Sequence, residues 1–73
     1  MSYSEQIKNI RIKLLLSQEA FAKELNVSFA TVNRWETGKT KPNISAIREL
    51  KRFCLNNEIE FKELEKELVE QED

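Results

Sequence analysis

Either side of Val32, the residues Phe29, Ala30, Thr31, Asn33 and Arg34 offer hydrogen bonds, methyl groups or a ring face, and none is acidic. Lys39 and Lys41 follow a few residues later. An arginine fork can meet O6 and N7 of guanine together, and a carboxamide can do the same with N6 and N7 of adenine. A lysine is a compact charge suited to phosphate. The chemistry open to this row is recognition of a polyanion whose bases are read edge-on. Catalysis has no equivalent group of residues. The chain contains no His, which removes His-based acid–base chemistry. One Cys without any His cannot build the usual four-ligand zinc site. A single Gly excludes a glycine-rich phosphate loop. The C-terminal glutamates read as a solvated helix face rather than a metal site. No enzyme activity, metal or cofactor is expected.

Such a row needs a helix to hold it. Ser28 is a good N-cap and Gly38 a good left-handed stop, which predicts a helix over 29–37. Ser17 caps a helix over 18–25, and Asn26 takes the turn between the two. The inward residues of the pair are Phe21, Ala22, Leu25, Val27, Val32 and Trp35. Ala22 is small where the helices cross, and a larger side chain would overpack by about 1–3 kcal/mol. Upstream, Ser2-Tyr3-Ser4-Glu5 matches a capping box, so a first helix starts near Tyr3 with Ile7, Ile10 and Leu14 as its buried stripe. It ends at Leu15-Leu16 without a glycine. The loop 38–43 contains Pro42, which discourages helix before it. Asn43 then caps a fourth helix whose stripe is Ile44, Ile47, Leu50 and Cys54, widened by Phe53 and broken by Asn56-Asn57. A fifth, acidic helix is expected over 58–71, with Phe61, Leu64 and Leu68 on one side. The reading is all-α.

The totals agree with one small helical domain: 73 residues, 40% hydrophobic, one Gly and one Pro. A chain of this size buries only about 60% of its unfolded surface. A lone Cys54 and no signal peptide point to a reducing cytoplasm. No apolar run approaches the roughly 20 residues of a membrane span, so no membrane partner is expected. The net charge of −1 hides a division. Residues 1–57 carry ten Lys/Arg against five acids, and residues 58–73 carry two Lys against eight acids, balances of +5 and −6. The expected organisation is a basic DNA-binding domain over 1–57 and an acidic C-terminal helix over 58–73. That helix would pack on the same domain or at a dimer interface, and could meet a protein partner.

The segment from Ile10 to Leu50 resembles the helix-turn-helix domain of the phage repressor and Cro family, the XRE family of bacterial DNA-binding proteins. The residues that carry the resemblance are Ile10-Arg11, Leu16-Ser17-Gln18-Glu19, Phe21-Ala22 and Leu25-Asn26-Val27-Ser28, then Thr31-Val32, Arg34-Trp35-Glu36, Gly38-Lys39 and Lys41-Pro42. Two positions depart from the family's habit. Asn26 stands where Gly is most frequent, and Leu15 stands where Gly or a polar residue is common.

The resemblance implies a compact five-helix bundle of the lambda-repressor-like type, with helices two and three as the helix-turn-helix and helix 29–37 in the major groove. It places Gln18 at a DNA backbone, bracing the start of the recognition helix. Ser28, Phe29, Ala30, Asn33 and Arg34 become base-facing, and Thr31 and Thr37 face phosphate. Lys39 and Lys41 become phosphate clamps. For Phe29, contact with a base or sugar and packing against a neighbour or dimer partner both stay open. Arg11 and Glu36 become a structural salt bridge. The implied function is sequence-specific binding of double-stranded DNA by a transcriptional regulator, with repression the expected mode and a homodimer on a palindromic operator. Two alternatives stand beside it: an antitoxin that autoregulates its operon, and a protein-interaction module that keeps the fold without binding DNA.

Overall fold

Four side-chain oxygens start the first four helices in the computed structural model, which describes residues 1–69. Ser2, Ser17, Ser28 and Asn43 accept hydrogen bonds from the backbone N–H groups of Glu5, Ala20, Thr31 and Ala46. Each satisfies an amide that the helix itself leaves without a partner. The helices are α1 (Tyr3–Lys13), α2 (Gln18–Leu25), α3 (Phe29–Glu36), α4 (Ile44–Asn56) and α5 (Lys62–Leu68). Among the described residues there is no strand. The architecture is an all-α helix-turn-helix bundle, as expected.

The first four helices also share one kind of ending. Leu15, Asn26, Gly38 and Glu58 are all left-handed, with φ of 57°, 61°, 77° and 55°. The amide that follows each of them reaches five residues back: Leu16 to Arg11 O, Val27 to Ala22 O, Lys39 to Arg34 O and Ile59 to Cys54 O. This is the Schellman closure, which occupies carbonyls that would otherwise lack donors. Glycine adopts the conformation freely, whereas for a residue with a Cβ it costs roughly 1–2 kcal/mol. At the three non-glycine stops the next residue is Leu16, Val27 or Ile59, each partly buried against the core. That apolar anchor offsets the strain. Gly38 is followed by exposed Lys39, which provides no such anchor, and there the one glycine stands.

The core contains Ile7 and Ile10 of α1, Phe21, Ala22 and Leu25 of α2, and Val32 and Trp35 of α3. Ala46, Ile47, Leu50, Phe53 and Cys54 of α4 join them, with Phe61 and Leu64 from the C-terminal segment. Phe21 meets Phe53 edge-on, with ring centroids 5.4 Å apart. Burial pushes the Cys54 thiol up to about 11, so it packs as a neutral apolar group. Helix α3 rests on α1 and α2, while α5 rests on α1 and α4.

Several expectations need correction. Ile44 is 63% exposed, because the buried stripe of α4 starts at Ala46 and Ile47. Val27 and Leu14 are half-buried rather than central. Helix α3 stops at Glu36, and Thr37 is its cap. The fifth helix begins at Lys62 instead of 58, since the left-handed Glu58 ends α4 and residues 59–61 run on as a non-helical link. The expected end of that helix at 70–71, and the last residues of the acidic segment to 73, lie outside the described residues.

Candidate nucleic-acid interface

Helix α3 is two-faced because its apolar residues are three apart. Val32 and Trp35 are buried, and that places Ala30, Asn33 and Arg34 on the solvent side, where all three are exposed; Phe29, in the first turn, is exposed as well. Ser28 at the N-terminus and Thr37 at the C-terminus are exposed as well, and Thr31 is half-buried. Phe29 leaves 54% of its surface open, a large ring with most of its area uncovered.

The one acid of α3 is turned inward and neutralised. Arg11 donates from Nε to Glu36 Oε2 at 2.8 Å and from Nη2 to Oε1 at 2.9 Å, a two-pronged bridge from α1 to the end of α3. Its Nη1 donates to the Leu16 carbonyl at 2.9 Å, which ties the same guanidinium to the turn before α2. Side-chain exposures are 14% for Arg11 and 3% for Glu36, so the pair is largely dry. The hydrogen bonds to Glu36 hold the Arg11 pKa above its already high ordinary value. The outward row is left without negative charge.

Gln18 sits elsewhere in this network than the resemblance implied. Its Nε2 donates to Glu36 Oε1 at 2.9 Å, and its Oε1 accepts from Asn33 Nδ2 at 3.3 Å. It braces the middle and end of α3 rather than the start, since Phe29 at the start has no polar side-chain atom to meet it. The sequence reading missed these two bonds, although Asn33 and Glu36 stand three apart on one helix edge and could have signalled a shared partner.

The hydroxyls are partly committed. Ser28 Oγ and Thr31 Oγ1 share a hydrogen bond of 2.9 Å beside the cap, and Thr37 Oγ1 donates to the Asn33 carbonyl at 2.9 Å. Ser28, Thr31 and Lys41 are brought together around one groove of about 330 Å³, which Asn43 and Thr40 also line. Lys41 also lies over the Tyr3 ring, 5.8 Å from its centroid, a contact with α1 that the sequence did not suggest. Lys39 lies outside that groove, exposed just past the left-handed Gly38. The assembled surface has amide, guanidinium, hydroxyl and ammonium donors with two apolar contacts, Phe29 and Ala30. It can bind a polyanion and meet base edges. Among the described residues no cluster of His, Cys, Asp or Glu could hold a metal ion, and no helix is long and apolar enough to cross a membrane.

Comparison with known proteins points the same way. A family model described as helix-turn-helix matches residues 7–54. The HTH-type transcriptional activator BcrR of Enterococcus faecalis is 32% identical over 53 residues, which cover 73% of this chain and 26% of that protein. The matched part is thus about a quarter of that relative's length. No solved structure matches the chain.

Proposed function

The chain belongs to the helix-turn-helix family, and from that premise we propose that it binds double-stranded DNA sequence-specifically as a transcriptional regulator, with α3 in the major groove. The observation that carries the reading is the acid-free outward row of α3, whose only carboxylate is folded inward onto Arg11. Arg34 pairs with guanine O6 and N7, and Asn33 with adenine N6 and N7. Ala30 and Phe29 lie against thymine methyl groups or sugars. Ser28 stands at the base edges beside the helix N-terminus, which favours a nearby phosphate. Thr31, Thr37, Lys39 and Lys41 fix the domain on the backbone, where contacts set register and orientation without reading sequence.

Two copies on a palindromic operator would place the two α3 helices about 34–36 Å apart, one turn of the duplex. A domain this small regulates most simply by occupying its site and excluding polymerase, which is repression. The relative's printed name is that of an activator, and a site placed beside the promoter instead of across it would give this chain that sign. Selection of bound duplexes from a random library tests the proposal. The expected product is an enriched palindrome with half-sites one turn apart. Failure to enrich any duplex at low salt would overturn it.

A further inference from the structure

We propose that Gln18 is a positioning residue for base reading: it fixes the Asn33 amide so that one acceptor and one donor face a single adenine. The inference rests on the DNA-binding reading above and deepens it. A chain of four side chains, each polarity dictated by the one before, carries the argument.

The chain starts at Arg11, whose guanidinium can only donate and does not lose its proton. It fills both oxygens of Glu36, a carboxylate that can only accept. Glu36 Oε1 takes a further hydrogen bond from Gln18 at 2.9 Å. Because Glu36 accepts, the Gln18 amide must turn its nitrogen inward, and its Oε1 is left facing α3. Asn33 Nδ2 donates to that oxygen at 3.3 Å. The Asn33 amide is therefore set with nitrogen toward Gln18 and Oδ1 away from it. Neither amide is free to flip without breaking the link before it.

Two Asn33 atoms stay available, Oδ1 and the second hydrogen on Nδ2, and Asn33 is exposed. Among the described residues nothing donates to that Oδ1. One acceptor beside one donor complements adenine, which offers the N6 donor beside the N7 acceptor. Guanine offers two acceptors, O6 and N7, and only one can be met. Holding the amide ahead of binding removes part of the ordering cost that a free side chain incurs. Arg34 differs in kind: among the described residues no protein group restrains its guanidinium, so Gln18 acts on one base pair and leaves the arginine's contact alone.

The test selects duplexes with the unmodified chain and with Gln18→Ala, Gln18→Met, Asn33→Ala and the Gln18→Ala/Asn33→Ala double variant. The unmodified chain should prefer adenine at one position of its site. Asn33→Ala should lower that preference by about 5- to 150-fold, the worth of a bidentate contact. Gln18→Ala should lower it at the same position only, and the double variant should be no worse than Asn33→Ala. Gln18→Met, which keeps the length of the side chain, should behave as Gln18→Ala while folding as the parent does. In both Gln18 variants the Asn33 side-chain amide signals should move while the α3 backbone signals stay in place. An unchanged adenine preference with all duplexes weakened alike would overturn the proposal, leaving Gln18 a phosphate contact. Additive losses in the double variant would overturn it too. If the unmodified chain enriches no duplex, the DNA-binding reading falls, and this proposal with it.

Discussion

Helices α3 and α5 are both short and both close the same core, yet they are fastened differently. The eight residues of α3 start on the Ser28 cap, bury Val32 and Trp35, and end on the bridge from Arg11 to Glu36 with Gln18 beside it. The seven residues of α5 have no side-chain cap. Leu64, with Phe61 just before the helix, supplies its burial, and its ion pair is the half-exposed one between Lys51 and Glu65 at 3.3 Å. Directional bonds fix rotation and angle tightly, whereas apolar contact is non-directional and holds them more loosely. A surface that must match base spacing needs the first kind of fastening. A helix that completes a core needs only the second. Charge follows the same division: α3 shows no acid outward, and α5 carries Glu63, Glu65 and Glu67.

Breaking the α3 latch should have the largest effect. Glu36→Ala strands the Arg11 guanidinium in a largely dry site and should cost about 3–5 kcal/mol in urea unfolding, the penalty for orphaning one partner of a buried pair. A loss below about 1 kcal/mol would mean the latch is no stronger than a surface pair. Leu64→Ala attacks the other fastening and should cost about 2–5 kcal/mol. Where the variant is still folded, its affinity for a selected duplex should match the parent's, and a large loss would show that α5 helps set the angle of α3.

The outward face gives smaller and more selective effects. Arg34→Ala should weaken the preferred duplex by about 1–3 kcal/mol and relax one base pair, while Lys39→Ala should weaken all duplexes alike and flatten the salt dependence. Competition binding against single-base variants of the selected site separates the two. Least of all, Lys51→Ala should change the thermal midpoint by the equivalent of less than about 1 kcal/mol, since both partners of its ion pair are open to solvent.

Much of this contrast is legible in the amino-acid sequence. Helix starts are local chemistry, so Ser2, Ser17, Ser28 and Asn43 mark the first four of the five, and the inward row of α2 and α3 follows from spacing. The Arg11–Glu36 bridge comes through resemblance alone, since the two residues are 25 apart. Helix stops are harder to read. Gly38 announces itself, but Glu58 is a poor candidate for a left-handed residue, and only the burial of Ile59 after it explains why α4 ends there and α5 starts late. Ile44 misleads because three- and four-residue spacing fits two neighbouring stripes, and the crossing of α2 decides between them. Gln18 is assigned by resemblance to the wrong end of α3 because its partners depend on which polar atoms lie within reach, and the Phe29 side chain offers none.

The central claim is that α3 and the loop after it present a DNA-binding face on a chain of net charge −1. The most direct test is affinity for the selected duplex across a salt titration. Six to ten phosphate contacts would lower the binding constant by about 10³–10⁵ between 50 and 200 mM salt, with a linear log–log slope. Absence of binding at 50 mM, or binding that salt does not weaken, would contradict the account.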